Sequence, residues 1–568
     1  MRSLLRLPPL FVLGSYLLLS LVPCVPLLLG RPAPGLGAIL GLEALLWIAV
    51  WGVFQRPTWF HWLLLPALLG LPTELYLFLY YGQGISTHHL GIIAESSPVE
   101  AMEFLGNKIW LMAAVLIAVL AWWVAVFMAA RRSPELVWGG KTRWLAVPAL
   151  AALAVLGWPT PTPVFQQAPF TFNNFANSWP FGLTARGVDF YNERRYLAEL
   201  GKRSSNFTFK ARQAAPDGEP EVVIMVLGES SRYDRWSING YARATTPLLA
   251  QEPNLVSLTN MITAVSATRL SVPVIISRKP AMQSLKAGFS EKSFLTAYKE
   301  AGFKTWWLSN QISFGEFDTP VSVFAKEADV IQFMNLGSFN NRSNFDQILL
   351  GPLQQAMHDP APKKLIVLHT LGNHWNYSQR YPQEFDKWQP SLFGVDKPEH
   401  TNVKIKLELN NSYDNSILYT DWFLAQVIGQ LKESGQRTSM LYVADHGQVL
   451  YDGSCGIAFH GHNTQYDFHV PALVWYSDQY QSHYPDKIRQ LKRLRKARLA
   501  TENVFHSLLD LGDITYGDQH LEWSFLNKQF KTHKRYVDSY GWTNYDNATF
   551  KGDCREVIDK GTPLKREK

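Results

Sequence analysis

The chain has 568 residues, which is too long for one ordinary domain. Charged residues make up 18% of it, against roughly 25% in soluble domains, while aromatic residues reach 13%. This composition excludes a disordered chain, because disordered chains are rich in charge and poor in aromatic residues. Three cysteines are too few for a disulfide-based scaffold. The net charge of +7 suits a membrane surface or phosphate-bearing partners, and we expect no nucleic acid among the partners.

Five apolar runs in the N-terminal third account for the missing charge. A membrane helix needs about 20 mostly apolar residues, and the last run is the shortest for this purpose. The runs cover residues 7–30, 36–54, 59–81, 109–130 and 144–158. We therefore predict a transmembrane domain of about five helices over residues 1–158.

Basic residues beside these runs predict the orientation of the domain. They cluster in the N-terminal tail and in the second and fourth connections, whereas the opposite side has only Arg31, with Lys108 at a boundary. Because basic residues mark the cytoplasmic side, the N-terminus is predicted to be cytoplasmic. An odd number of spans then places everything after about Pro159 outside the cytoplasm. In a Gram-negative bacterium this is a multi-pass protein of the inner membrane with a periplasmic C-terminal domain.

The connection Gly82–Asn107 lies on the predicted outer side and is rich in polar side chains. They include His88, His89, Glu95, Ser96 and Glu100. One interpretation is a solvated loop. The other is a loop that recognises a lipid headgroup at the membrane surface.

Residues 159–220 have the composition of a bridge between two domains. Pro159–Pro180 is rich in Pro, Phe and Asn, which suits a segment along the membrane interface, where aromatic side chains settle. Phe190–Lys202 has the pattern of an amphipathic helix, and the polar stretch Gln213–Pro220 precedes the next domain.

From Glu221 to the C-terminus the pattern becomes α/β. Continuous apolar strands alternate with helical stretches such as Ser290–Ala301 and Ser416–Glu433. The predicted strands are Glu221–Leu227, Phe303–Leu308, Lys364–His369, Met440–Ala444 and Val470–Tyr476. Buried strands that alternate with helices predict a mostly parallel sheet covered on both faces.

Acidic and histidine side chains follow several of these strands. Ligands of such sheets bind beyond the carboxyl ends of the strands, so these positions are candidates for a site. They comprise Glu229, His369 and His374, Asp445 and His446, and then His460 and His462 before the last strand. Each alone has an ordinary structural explanation, such as a helix cap or a buried histidine. Together, carboxylates and imidazoles without thiolates fit a catalytic Zn²⁺ or Mn²⁺ site.

The segment Asn260–Pro273 supplies hydroxyl groups ahead of a predicted helix. A hydroxyl at a helix N-terminus is well placed for a nucleophile, since the backbone N–H groups favour developing negative charge. Such hydroxyls need a metal or a base to lower their pKa. The residues alone do not choose among Thr263, Ser266, Thr268 and Ser271.

In combination, these motifs resemble the membrane-bound phosphoethanolamine transferases. That family includes the lipid A-modifying enzymes of polymyxin resistance, and its catalytic domain belongs to the alkaline phosphatase/sulfatase superfamily. The matching motifs are Leu227–Ser230, Gly240–Pro247, Thr268–Pro273, His369–His374, Tyr413–Ser416 and Asp445–Gly447. The resemblance covers nearly the whole chain.

The resemblance implies roles for individual residues. It selects Thr268 as the nucleophile and implies that one or two Zn²⁺ ions, or Mn²⁺, are bound. The implied metal ligands are Glu229, Thr268, Asp445 and His446. His374 and His460, with His462 nearby, would hold a second metal or bind the substrate. Ser96 and Glu100 occupy the positions of the family's headgroup-binding Thr and Glu.

Some positions depart from the family pattern. Ile92 stands where the membrane-side loop of the family has Asn, and the cysteines that flank the nucleophile in the lipid A enzymes are absent here. Gln448 replaces an acid, and Trp307–Gln311 replaces a more charged stretch. These departures spare the implied catalytic residues and favour an acceptor other than lipid A, such as a lipopolysaccharide core sugar or a periplasmic glucan.

The implied reaction transfers phosphoethanolamine from phosphatidylethanolamine to a cell-envelope glycan or glycolipid through a Thr268 intermediate, in a monomeric enzyme. A phosphoglycerol transferase that uses phosphatidylglycerol is one alternative. A non-catalytic membrane sensor or scaffold is another. A formylglycine sulfatase is disfavoured, because the Cys/Ser-x-Pro-x-Arg motif is absent at the nucleophile.

Overall fold

The computed structural model of the chain comprises two compact units. The first holds Met1–Ser96 and Leu105–Glu193, and the second holds Ser97–Phe104 and Arg194–Glu567. The structure describes residues 7–30, 33, 35–81, 84–95, 98–157, 178–283, 289–312, 320–335, 344–395, 398–539 and 541–558.

The N-terminal part of the chain is helical. Its helices are α1 (Leu7–Ser20), α2 (Val25–Leu28), α3 (Leu36–Phe54), α4 (Pro57–Phe60), α5 (Leu65–Tyr81), α6 (Thr87–Glu95), α7 (Pro98–Leu105), α8 (Lys108–Arg131), α9 (Ala146–Gly157) and α10 (Gly182–Arg203).

Several of these helices are of the membrane-spanning type. α3, α8 and the stretch Pro57–Tyr80 are long and apolar enough to cross a membrane, and α1 with Val22–Leu28 qualifies only as a pair bent by 45°. The described residues thus contain three such spans, or four if the bent pair is one span. α9 has 12 residues and ends just before residues 158–177, which lie outside the described part. The apolar helical region is confirmed, and the fifth span stays a prediction.

A seven-stranded sheet forms the centre of the second unit. Its order is β3-β11-β8-β2-β7-β5-β6, with β11 antiparallel to both neighbours and the other pairs parallel. The strands are β2 (Glu221–Gly228), β3 (Leu255–Ser257), β5 (Lys304–Ile312), β6 (Val330–Asn335), β7 (Lys363–His369), β8 (Arg437–Ala444) and β11 (Ala472–Tyr476). The mostly parallel sheet is confirmed.

Helices cover this sheet, which explains why its central strands are apolar without interruption. β2 and β8 are buried along their whole length, as expected for strands packed on both faces. The helices are α11 (Thr268–Ile276), α12 (Phe294–Glu300), α13 (Ser322–Ala325), α14 (Leu350–Met357), α15 (Lys406–Glu433), α16 (Gln465–Phe468), α17 (Asp478–His483), α18 (Pro485–Leu494) and α19 (Glu502–Leu511).

Short two-stranded sheets surround the central one. They pair β1 (Arg212–Gln213) with β13 (Ile514–Thr515), β4 (Met261–Ile262) with β12 (Leu499–Ala500), β9 (Val449–Leu450) with β10 (Ala458–Phe459), β14 (Tyr536–Asp538) with β15 (Trp542–Asn544), and β16 (Thr549–Lys551) with β17 (Glu556–Ile558). A disulfide joins Cys455, in the β9–β10 connection, to Cys554 between β16 and β17.

Two elements differ from the sequence-based expectation. α15 begins at Lys406 and not at Ser416, because buried polar residues such as Asn411 and Asp414 interrupt its apolar pattern. The last predicted strand is antiparallel to the others. The segment before β11 therefore lies at the same edge of the sheet as the segments that follow β2, β7 and β8.

Candidate active site

Two carboxylates and an imidazole meet at the carboxyl edge of the sheet. Glu229 follows β2 directly, and Asp445 and His446 follow β8. The two strands are neighbours in register, with Gly228 opposite Ala444, so their following residues are adjacent. One ligand atom from each of the three side chains lies within 4.8 Å of the others, and all three side chains are buried.

Hydrogen bonds fix the orientation of these groups. Ser230 Oγ donates to Glu229 Oε1 at 2.6 Å, and the Ser230 backbone N–H donates to Asp445 Oδ1 at 3.0 Å. His446 Nδ1 lies 2.8 Å from the Gly447 carbonyl oxygen, so the proton belongs on Nδ1. His446 Nε2 then points its lone pair to the carboxylates, 3.4 Å from Glu229 Oε1 and 3.5 Å from Asp445 Oδ2.

The charges in the cluster shift one another's titration. Burial and the negative charge of Glu229 raise the pKa of Asp445 to about 7. Burial also disfavours charge on Glu229, but His446 and His374 together lower its pKa below the usual value. Burial opposes a charge on His446, yet the two carboxylates raise its pKa. The centre of the cluster therefore favours positive charge.

The residues present fit a divalent metal. Asp445 Oδ2 is buried and accepts no hydrogen bond from the described residues, and such an atom is costly unless a cation satisfies it. Two carboxylate oxygens and one imidazole nitrogen form a donor set typical of catalytic zinc, which keeps a further position open. Glu229, Asp445 and His446 would hold the ion.

Thr268 brings a hydroxyl to this cluster. It is the first residue of α11, after Ala267 in extended conformation. Its Oγ1 donates to Glu229 Oε2 at 3.1 Å and lies 3.3 Å from His446 Nε2. The helix N-terminus adds partial positive charge at this hydroxyl.

The structure also distinguishes Thr268 from the three other candidate hydroxyls. Each of the other hydroxyls donates to a backbone carbonyl oxygen and not to the cluster. These hydroxyls belong to Thr263, Ser266 and Ser271. Among the four candidates, Thr268 is the residue whose hydroxyl contacts both a carboxylate and an imidazole.

Two histidines lie beside the cluster. The His460 ring stacks on the His446 ring at 4.3 Å between centroids, and its Nδ1 lies 2.9 Å from the Ser266 carbonyl oxygen. His374 is close enough to lower the pKa of Glu229, and its Nδ1 lies 2.6 Å from the Trp375 carbonyl oxygen. Both rings are only half-buried, as expected for groups that meet a substrate.

The other predicted substrate residues are less clearly placed. His462 is buried, and its Nε2 lies 3.1 Å from the Ala458 carbonyl oxygen, so it supports the β10 turn. Ser96 lies outside the described residues. Glu100 lies in α7, but the described part of the structure does not include its side chain.

A buried carboxylate that the sequence analysis missed organises the loop before His374. Asp346 accepts hydrogen bonds from the backbone N–H groups of Leu371 and Gly372 at 2.8 and 2.9 Å, and from Asn310 at 2.9 Å. The loop then passes so close to Glu229 that a Cβ on Gly372 would lie 2.8 Å from the Glu229 carbonyl oxygen. No local pattern in the sequence marks Asp346 for this role.

The chain is similar in sequence to phosphoethanolamine transferases. The chain is 29% identical to the phosphoethanolamine transferase EptC of Escherichia coli K12 over 489 residues, which is 81% of each chain. It is 31% identical to the Kdo(2)-lipid A phosphoethanolamine 7''-transferase of the same strain over 319 residues, 54% of this chain and 52% of the relative.

Solved structures agree with the fold. The C-terminal periplasmic domain of EptC from Escherichia coli in complex with Zn aligns with a TM-score of 0.54 at 27% identity, covering 61% of this chain and 98% of that domain. The integral membrane protein EptA of Neisseria meningitidis aligns with a TM-score of 0.64 at 21% identity, over 90% of this chain and 96% of that chain. At 21% identity, the second match supports the fold of the full chain and no other property.

The family assignment rests on the second unit. Residues 221–514 match the sequence profile of the Sulfatase family, which is just over half of the chain. This range begins with β2 and ends at the start of β13, so it includes the sheet and every member of the cluster. The chain belongs to the Sulfatase family.

Proposed function

We propose that the protein transfers phosphoethanolamine from phosphatidylethanolamine to a cell-envelope glycan or glycolipid. The observation that carries this proposal is the Thr268 hydroxyl at a helix N-terminus, 3.1 Å from Glu229 in a cluster suited to a metal. The names of the relatives supply the transferred group and the acceptor class, which includes lipid A for one of them.

The first half-reaction loads Thr268. The Thr268 oxygen forms a bond to the phosphorus of the donor, and the bond from phosphorus to the diacylglycerol oxygen breaks. A Zn²⁺ ion held by Glu229, Asp445 and His446 would lower the pKa of the hydroxyl, with Mn²⁺ as an alternative. His374 and His460 flank the cluster and would bind phosphate oxygens or supply the proton that diacylglycerol takes away.

The second half-reaction releases the group to the acceptor. A hydroxyl or phosphate oxygen of the acceptor attacks the same phosphorus, and the Thr268 oxygen leaves as the new bond forms. The same two histidines would remove the proton of the attacking oxygen. Positioning and electrostatic stabilisation provide most of the catalysis in such transfers.

The membrane helices fit a lipid donor. A headgroup at the bilayer surface is within reach of an enzyme anchored in the same membrane, and we propose that Ser96 and Glu100 bind it there. The inner membrane is the proposed location, with residues 221–568 as a catalytic domain in the periplasm and 159–220 as the bridge.

The decisive experiment compares two donors. Purified protein is incubated with rough lipopolysaccharide and either phosphatidylethanolamine or phosphatidylglycerol labelled in the headgroup. We expect label transfer from phosphatidylethanolamine, and none with Thr268→Ala, which should still fold and bind zinc. Transfer from phosphatidylglycerol alone would identify a phosphoglycerol transferase. No transfer from either lipid, together with no label on Thr268 in zinc-loaded protein, would contradict an enzymatic role.

A further inference from the structure

Gln311, at the end of β5, contacts the metal cluster. Its Nε2 donates to Glu229 Oε2 at 3.0 Å and to the Thr370 carbonyl oxygen at 3.1 Å. Its backbone N–H donates to Ser309 Oγ at 3.1 Å, so the main chain that carries it is fixed as well. β5 and β7 are paired in parallel, which places Gln311 beside the residues that follow β7.

The two oxygens of Glu229 have different partners. Oε1 accepts from Ser230 Oγ, and Oε2 accepts from Gln311 and from Thr268. Thr268 must give up its hydrogen bond when its hydroxyl loses the proton to become a nucleophile. Within the described part of the chain, Ser230 and Gln311 are then the side-chain donors that still hold the carboxylate, one on each oxygen.

The chemistry of Gln311 suits this task. A neutral amide orients a carboxylate without cancelling the charge that binds a cation, whereas a Lys or Arg at the same place would compete with the cation. Groups that hydrogen-bond to metal ligands in this way commonly control metal affinity.

We propose that Gln311 is a positioning residue, which holds the Glu229 carboxylate in the orientation that binds the catalytic metal. The proposal rests on the metal-dependent function proposed above. It makes no use of the donor or acceptor identity.

The test measures zinc affinity directly. Metal-stripped Gln311→Leu and Gln311→Met, two apolar variants of similar size, are titrated with Zn²⁺ against a chromophoric chelator, alongside Gln481→Leu on the exposed face of α17. We expect a Kd for zinc that is about 10-fold or more weaker in both Gln311 variants and unchanged in the control. Excess zinc should restore part of their kcat.

Either of two results would overturn the proposal. Unchanged zinc affinity in a folded Gln311 variant would show that the contact with Glu229 is dispensable. Lowered kcat with unchanged zinc affinity would place Gln311 in another role. Because binding is read without any transfer reaction, a wrong donor assignment would not affect the outcome.

α18 and the four residues after it form a strongly basic surface. Residues 485–498 contain seven basic side chains and one acidic side chain. Ile488 and Leu491 face the core, and Lys487 turns to Asp510 and Asp513 at 3.1 and 2.8 Å. The other six basic side chains are exposed: Arg489, Lys492, Arg493, Arg495, Lys496 and Arg498. We call these six the basic face.

Few acids neutralise the basic face. Arg489 pairs with Asp486, but both side chains are highly exposed, so the pair is weak. Arg498 lies 3.8 Å from Asp546, which binds Arg535 more closely at 2.5 Å. The other four members have no acidic partner among the described residues. The face therefore concentrates positive charge that acidic neighbours among the described residues leave largely uncompensated.

The ligand that fits this face is a water-soluble polyanion. Helices that bind by insertion into a bilayer combine basic residues with exposed aliphatic or aromatic anchors. No large apolar side chain is fully exposed in residues 485–498, because Ile488 and Leu491 are used in the core. Arginine and lysine side chains at this density match the phosphates of a phosphorylated saccharide.

We infer that the basic face binds the phosphate-bearing saccharide of the acceptor. This inference rests on the proposed transfer function, whose second half-reaction needs such an acceptor. The face would raise the local concentration of acceptor near the domain and would act most strongly at low salt.

The test reverses two charges. Lys492→Glu with Lys496→Glu is compared with Lys404→Glu plus Lys528→Glu, which makes the same change in net charge at exposed sites elsewhere. Binding of phosphorylated core oligosaccharide should weaken about tenfold in the first variant, and little in the control. Its KM for the acceptor should rise, while loading of Thr268 from phosphatidylethanolamine stays unchanged.

Three results would contradict the inference. The first is equal binding of the phosphorylated oligosaccharide by both double variants. The second is equal binding of the phosphorylated and dephosphorylated oligosaccharides by the wild-type protein. The third is a Lys492→Glu/Lys496→Glu variant that loses binding to phosphatidylglycerol vesicles but binds the oligosaccharide normally. If wild-type protein fails to load Thr268, the transfer function is at fault, and the binding assay still decides the role of the face.

Discussion

The side chains of Glu229, Asp445 and His446 place excess negative charge in a buried site. In water such groups would titrate independently, but here burial and the negative charge of Glu229 raise the pKa of Asp445 to about 7. The orphaned Asp445 Oδ2 shows which atom a cation would satisfy. A proton and a metal ion therefore compete for the same oxygen.

This competition predicts that zinc binding depends on pH. Below about pH 7 the raised pKa keeps Asp445 protonated in the metal-free protein, and the raised pKa of His446 acts in the same direction. Each displaced proton should weaken the apparent zinc affinity about tenfold per pH unit below that value. Calorimetry between pH 5.5 and 8 in buffers of different ionisation enthalpy measures both the affinity and the protons released. An affinity independent of pH would show that no proton is displaced.

Single residues of the site differ in how far the sequence predicts them. Glu229, Asp445 and His446 follow apolar strands, and ligands of such sheets bind beyond the carboxyl ends of the strands, so these residues are predictable as site candidates. Thr268 needed the family resemblance, because four hydroxyls stood in one segment. Gln311 follows the predicted strand Phe303–Leu308 and lies near the end of β5 in the structure; its segment was noticed only as a departure from the family pattern. Asp346 was not predictable, since its role depends on a contact with a loop that is distant in sequence.

At the scale of elements, the loop between β7 and His374 depends on one glycine. Gly372 has φ +49°, and a Cβ there would lie 2.8 and 3.0 Å from the backbone O and N of Glu229. Gly372→Ala should therefore displace Glu229 and lower both zinc affinity and transfer. Gly394→Ala is the matched control, because Gly394 also has a positive φ, of +76°, with open space around it.

The control variant should lose about 1–2 kcal/mol of stability from backbone strain and keep wild-type zinc affinity. Titration of the metal-stripped variants, with thermal unfolding in parallel, separates the two effects. Equal zinc affinity in Gly372→Ala and Gly394→Ala would show that the close approach to Glu229 is unimportant.

The C-terminal segment is tied to the site by a disulfide. Cys455 and Cys554 are 99 residues apart in sequence, and the bond connects the β16–β17 hairpin to the loop that leads to His460. Loss of the bond should lower the free energy of unfolding of the second unit by about 2–5 kcal/mol. Denaturant unfolding of Cys554→Ser measures this, with Cys24→Ser as the control at a free cysteine. Identical unfolding of the two variants would show that the bond does not stabilise the fold.

The elements were predictable where burial is uniform and less so elsewhere. The five predicted strands are all present in the sheet, since continuous apolar runs are typical of strands packed on both faces. β3 and β6 were missed because they lie at the sheet edges and are only partly apolar or buried. The direction of β11 depends on tertiary pairing, which no local pattern contains.

At the scale of the whole molecule, the number of spans decides on which side the catalytic unit lies. The described residues contain up to four spans, and α9 belongs to the fifth apolar run. We predict that this run crosses the membrane. A reporter inserted at Gly140 and one fused to the C-terminus should then lie on opposite sides, with alkaline phosphatase active only at the C-terminus. Reporters on the same side would remove the fifth span, and inactive alkaline phosphatase at both positions would also remove the periplasmic location.

In the proposed reaction, Thr268 carries the transferred group. The most direct measurement is peptide mass spectrometry of zinc-loaded protein after incubation with phosphatidylethanolamine and no acceptor. We predict a phosphoethanolamine adduct on Thr268, which disappears when acceptor is added. No adduct on Thr268, or an adduct on another hydroxyl of residues 260–273, would contradict it.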